Sequence, residues 1–354
     1  MPLCRTVVPT LVVGVVTLLL GACSPADGGP DDDGATSIGP PSAASTAPAT
    51  PDATTSPDGA PGSVTLEAGG RPFELVVPAG HDGSEPAPLL VVLHGYGDDP
   101  AGVDARFGLR DDAARRGVLY ALPEGTQDST GRRFWDATDA CCAWAGAGPG
   151  VDDSAYLAAV VRTVAETHAV DPDRVALVGH SNGGFMAYRA ACDHADLVRL
   201  VVSVAGAMAA DDAACAPERP VSVVQAHGTA DPVVSFDGGN LADVGLPEGA
   251  AYPSAADSVA AWARLDRCDD EPVAAGTLDL DVGLPGAETS VAAYSGCAGD
   301  VRVELWTIDG GIHSPALGDG FSTAVLDAVT GEVGGEDTGG ATSDGADDGG
   351  SAPR

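Results

Sequence analysis

The chain contains no lysine: all 17 of its basic residues are arginine, set against 52 acidic residues, for a formal net charge of −35 over 354 residues. Without a lysine amine, a phosphate-binding loop of the GxxxxGK[ST] kind, a Schiff-base mechanism and a Ser-Lys dyad are all excluded. The acidic balance also excludes nucleic acid as a partner, because neutralising phosphates requires a basic face. Its plain consequence is solubility outside the cell. No CxxC pair faces a second pair of ligands, so the cysteines do not read as a zinc site, and no metal is expected. The apolar run from Val7 to Leu20 has about 14 residues, short of the about 20 that a membrane span needs.

What is present at that end is an export signal. Arg5 precedes the apolar run, small residues follow it, and Leu20-Gly21-Ala22-Cys23 matches a lipobox. The reading is a lipoprotein signal peptide over residues 1–22, with Cys23 lipidated as the mature N-terminus. That places the protein outside the cell, held to the outer face of a bacterial cell membrane by its lipid. Residues 23–62 are Pro, Ala, Thr, Ser, Gly and Asp with almost no large apolar side chain, so they read as a disordered tether. Residues 331–354 read as a disordered acidic, glycine-rich tail.

Six cysteines remain beyond Cys4 and Cys23, an even number that suggests disulfides in an exported chain. Short-range pairing favours Cys192 with Cys215 and Cys268 with Cys297, and leaves the adjacent Cys141 and Cys142 open.

Residues 63–330 alternate short β-rich runs with helical patterns, which predicts an α/β fold with a mostly parallel central sheet and helices on both faces. Ser63–Glu67 and Pro72–Val77, separated by Gly69-Gly70, predict an antiparallel hairpin. Strands are expected at 88–93, 118–122, 174–178, 200–204, 221–225 and 301–308, and helices at 111–116, 153–168, 182–192 and 321–329. The continuous apolar run of Pro88–Leu93 is that of a strand buried on both faces. Tyr156, Leu157, Val160, Val161 and Val164 form one helical stripe.

Gly179-His180-Ser181-Asn182-Gly183 fits G-x-S-x-G, a short pattern that is weak by itself in a chain with 48 glycines. Its context gives it force. It follows the strand VALV and precedes the helical run FMAYRAAC, the setting in which a nucleophilic serine sits on a sharp strand-to-helix turn. A serine needs a base, and the base a carboxylate. Of the seven histidines, His313 follows the last strand through Gly310-Gly311 and so lies where an open α/β sheet builds its site. Asp231, in HGTADPVV after VSVV, gives the chain order Ser, Asp, His that this fold uses. The oxyanion donors are expected to be the N–H groups of Asn182 and Tyr96, with Gly95 the alternative to Tyr96 in HGYG. Trp135 is a candidate wall of the acyl pocket or else a core residue.

Taken in order, LHGYGDD, FWDATDACC with VDDSAYL, DPDRVALVGHSNGGFMAYRAAC, HGTADPVV and GGIHSP resemble the secreted esterases that include polyhydroxybutyrate depolymerases and feruloyl or acetylxylan esterases. The resemblance runs from about Arg71 to Leu317. It implies an α/β-hydrolase fold, no cofactor or metal, carboxylic ester substrates, and the same triad of Ser181, Asp231 and His313. One departure is His313-Ser314-Pro315-Ala316, which lacks the aromatic residue that often follows the histidine in this family. The competing readings are a serine peptidase on the same fold and a non-catalytic binding lipoprotein on a hydrolase scaffold.

Overall fold

The computed structural model describes residues 61–331, apart from 147–150, 212, 214 and 248. The expected signal peptide, Cys23, nearly all of the tether and the tail lie outside the described residues.

The described residues open with β1 (Gly62–Ala68) and β2 (Arg71–Val77), antiparallel in the register Gly62↔Val77 and turned through Gly69-Gly70. Then come β3 (Ala87–Leu93), α1 (Pro100–Phe107), α2 (Arg110–Arg115) and β4 (Leu119–Pro123). A small hairpin of β5 (Thr126–Gln127) and β6 (Arg133–Phe134) precedes α3 (Asp153–Thr167), β7 (Val170–His180), α4 (Asn182–Asp193), β8 (Leu200–Val204) and β9 (Ser222–Gly228). The last elements are α5 (Ala255–Leu265), β10 (Val273–Leu278), β11 (Thr289–Tyr294), β12 (Val303–Ile308) and α6 (Asp319–Thr330). Ten strands form one sheet in the order β1-β2-β4-β3-β7-β8-β9-β12-β11-β10. Its six central strands, from β4 to β12 in that order, run parallel, and an antiparallel pair closes each side.

Strand β3 explains the layering, because every one of its seven residues is buried. Successive side chains of a strand point to opposite faces. Leu89, Val91 and Leu93 join a core with Leu157 of α3, Phe185 of α4 and Trp262 of α5, while Leu90 and Val92 join one with Phe107 of α1 and Phe321 of α6.

The sequence missed α1, α5, the short β5 and β6, and β10 and β11. Helix α1 carried a start signal, with Asp99 accepting from Gly102 N at 2.8 Å and Pro100 in the first turn. Strand β10 is largely exposed, so it lacks the apolar alternation that would have marked it.

Among the described residues three disulfides form, Cys192–Cys215, Cys268–Cys297 and Cys141–Cys142. The first two are the short-range pairs expected, and the two cysteines left open are bonded to each other.

Candidate active site

Strand β7 ends at His180 and α4 begins at Asn182, so the whole reversal falls on Ser181, at φ 54° and ψ −119°. A non-glycine residue rarely adopts positive φ, and the surroundings must hold it there. The N–H of Ser181 donates to Val204 O of β8 at 2.8 Å. A Cβ on Gly179 would come within 2.1 Å of Gly183 O, and one on Gly183 within 2.4 Å of Leu93 O. Only glycine at both positions lets strand, turn and helix pack this closely.

His313 and Asp231 come to Ser181 from two other loops at the carboxyl ends of parallel strands. The loop after β9 is tied to the loop after β12 by Ala230 N–H donating to Gly311 O at 2.9 Å. His313 Nε2 is 3.0 Å from Ser181 Oγ, and His313 Nδ1 is 2.8 Å from Asp231 Oδ2. With the Nδ1 hydrogen on the carboxylate, Nε2 is left to accept from the serine hydroxyl, as a base must. The three residues singled out in the sequence are therefore brought into one hydrogen-bonded line.

Asp231 is buried, yet every oxygen has donors. Oδ1 accepts the N–H groups of Val233 at 2.8 Å and Val234 at 3.0 Å, and Oδ2 faces both His313 and His227. Burial pushes its pKa up, but the hydrogen bonds from His227, His313 and the backbone outweigh it and hold the carboxyl below the usual range. A fixed anion behind His313 is the result.

The expected oxyanion loop abuts the serine. A Cβ on Gly95 would lie 3.5 Å from Ser181 Cβ. In the same turn Gly97 N–H donates to Arg133 O at 2.8 Å and Asp98 N–H to Gly95 O at 3.2 Å, while Tyr96 anchors its hydroxyl on Asp128 at 2.8 Å. Asn182 is the first residue of α4, so its N–H has no acceptor within the helix.

The side chain of Asn182 does a second job that its sequence position gave no hint of. Its Oδ1 accepts from Trp135 N at 2.7 Å and its Nδ2 donates to Trp135 O at 2.9 Å, pairing with that backbone as a neighbouring strand would. Trp135 itself is fully buried, its ring against His94 and Tyr156 and its indole N–H on His94 O at 2.9 Å. Trp135 is thus a core brace and not a pocket wall.

Two other buried histidines, His94 and His180, are structural partners. His94 donates from Nδ1 to Gly95 O at 2.8 Å and accepts from Gly125 N at 3.0 Å at Nε2, and burial lowers its pKa. His180 donates from Nε2 to His313 O at 2.8 Å, with its ring centroid 5.1 Å from that of His313. Burial, and then the neighbouring His313, push His180 down to about 3, so it stays neutral.

Several known proteins are similar to this chain. The model of the prolyl oligopeptidase family matches residues 113–235. Feruloyl esterase B of Piromyces equi is 29% identical over 246 residues, which cover 69% of this chain and 42% of the relative. The chain thus spans less than half of that relative's length. Feruloyl esterase C of Emericella nidulans is 26% identical over 266 residues, 72% of this chain and 81% of the relative. Among solved structures, the acetyl xylan esterase of Aspergillus awamori aligns with a TM-score of 0.51 at 14% identity, over 77% of this chain and 99% of that one, a likeness of fold.

Proposed function

The chain belongs to the α/β-hydrolase superfamily, and on that premise we propose that it is a serine carboxylic ester hydrolase acting through an acyl-enzyme. The observation that carries the reading is the line Ser181 Oγ, His313 Nε2, His313 Nδ1, Asp231 Oδ2, with contacts of 3.0 and 2.8 Å. Ser181 Oγ attacks the ester carbonyl while His313 Nε2 takes its proton. The charge that develops on the carbonyl oxygen is met by the N–H groups of Asn182 and Tyr96. Asp231 stays ionised and balances the imidazolium. His313 then protonates the departing alkoxide, leaving an acyl-serine, and water repeats the sequence to release the acid.

For the acyl group, the names of the relatives favour feruloyl and acetyl esters, whereas the resemblance in sequence also takes in polyhydroxybutyrate depolymerases. Rates on methyl ferulate, acetylated xylan and 3-hydroxybutyrate oligomers rank the three. The leader and Cys23 support a lipid-anchored form on the outer face of the membrane, which Cys23→Ala would release into the medium.

Hydrolysis of p-nitrophenyl acetate and butyrate, beside Ser181→Ala, tests the core of the proposal. Activity that survives in the variant would overturn it. The match to the prolyl oligopeptidase model favours one second reading, a serine peptidase, which cleavage of Ala-Pro-p-nitroanilide in preference to esters would bring forward.

A further inference from the structure

A second histidine reaches the carboxylate that supports His313. His227 lies on β9, four residues before Asp231, and is buried. Its Nε2 is 2.8 Å from Val234 O and 3.3 Å from Asp231 Oδ2. A carbonyl oxygen only accepts, so Nε2 carries the hydrogen and shares it between the two oxygens. The opposite side of the ring agrees. Nδ1 is 3.0 Å from the amide nitrogen of Gln225, also buried on β9, and that nitrogen is 2.8 Å from Gly206 O. A flipped amide would set two acceptor oxygens against each other at the Gly206 contact, so the nitrogen belongs there. Gln225 therefore gives one hydrogen to Gly206 O and the other to His227 Nδ1, which is left bare.

We infer that His227, held by Gln225 in its Nε2–H tautomer, is a positioning residue for Asp231. The inference rests on the serine-hydrolase reading of Ser181, Asp231 and His313. Two links carry it. The Val234 N–H holds Asp231 Oδ1 while the Val234 carbonyl is held by His227, so this ring fastens the turn that presents the carboxylate back onto β9. The Nε2–H of His227 also reaches Oδ2, the oxygen that His313 uses, and limits rotation of the carboxylate about its bond. A displacement of Asp231 reorients the imidazole that must face Ser181, and a misplacement of about 1 Å costs up to about 100-fold in rate.

The test uses the purified full-length protein and two readouts. Long-range ¹H–¹⁵N correlation of ¹⁵N-histidine-labelled protein should give His227 a protonated Nε2 and a bare Nδ1, and should show the low-field Nδ1–H of His313 bonded to Asp231. In His227→Phe that low-field signal should shift or vanish, and kcat on p-nitrophenyl butyrate should fall about 10- to 100-fold with KM within about twofold. His227→Gln, which keeps an N–H donor, should recover most of both. A protonated Nδ1 on His227 would overturn the inference, as would an unchanged His313 signal and kcat in His227→Phe, or equal losses in the Phe and Gln variants. The resonances need no substrate, so a protein without esterase activity would sink the proposed function while the tautomer and the His313 signal still decide this inference.

Discussion

The indole N–H of Trp135 donates to the carbonyl oxygen of His94 at 2.9 Å, inside a core that solvent does not reach. The backbone of the same tryptophan is paired with the side chain of Asn182. One residue thus spans the two segments proposed to supply the oxyanion donors, the turn after β3 and the start of α4. Trp135→Phe keeps most of the packing and leaves the His94 carbonyl unpaired. The expected loss of stability is about 1–3 kcal/mol. Loosened donors act on the transition state more than on bound ester, so kcat should fall about 10-fold or more with little change in KM. Steady-state kinetics beside thermal melts decide it: a variant that melts earlier but turns over normally would show that the brace serves the fold alone.

Asp231→Asn tests the ion behind His313. An asparagine amide can sit in the same place, but it offers His313 a hydrogen where the carboxylate offers an acceptor, and the imidazole is driven towards the wrong tautomer. The expectation is a fall in kcat of about 10³- to 10⁴-fold, with Ser181→Ala lower still. A loss below about 10-fold would mean that another carboxylate supports His313.

The hydrogen-bonded line of Ser181, His313 and Asp231 was legible in the sequence because each member stands just beyond a strand that its apolar run makes plain. VALV leads to Ser181, VSVV to Asp231, and the strand ending at Ile308 to His313. The parallel sheet then brings three distant segments to one edge. Second-layer contacts were not legible. His180 sits beside Ser181 in sequence yet bonds to His313, 133 residues away, and Trp135 finds His94 across 41. No spacing rule links such pairs, since they depend on side chains crossing between elements. Strands β10 and β11 were missed for a different reason: they lie at the edge of the sheet, where partial exposure blurs the alternation of apolar and polar residues.

Cys192–Cys215 joins the end of α4 to the segment between β8 and β9, across 23 positions. Closing a loop of that length restricts the unfolded chain by about 3 kcal/mol. Replacing both cysteines by serine should lower the stability measured in urea by about that amount. The Ser181–His313 distance should hold, because neither residue leans on the bridge, and specific activity at a temperature well below melting should change less than about twofold. Loss of activity without loss of stability would tie this bridge to the site.

Asp266 carries the clearest dependence of stability on pH. It caps the end of α5, is 1% exposed, and neither carboxylate oxygen makes a hydrogen bond of good geometry. Burial raises its pKa from the ordinary 3.8 to about 7, with Val221 and Trp262 only partly opposing the shift. The folded protein therefore holds this proton where the unfolded chain has released it. The contribution is favourable at and below about pH 4, declines as the pH rises towards 7, and is lost above. The full swing for a shift of this size is on the order of 2–4 kcal/mol. Asp266→Asn replaces the acid by a neutral group of the same shape, so the variant should match the wild type near pH 4.5 and exceed it by roughly 1–3 kcal/mol near pH 8. Urea denaturation of both proteins at the two pH values measures the difference. If Asp266→Asn is instead less stable at pH 8 than at pH 4.5 relative to the wild type, the carboxylate is ionised and held by a partner, and burial is not what governs it.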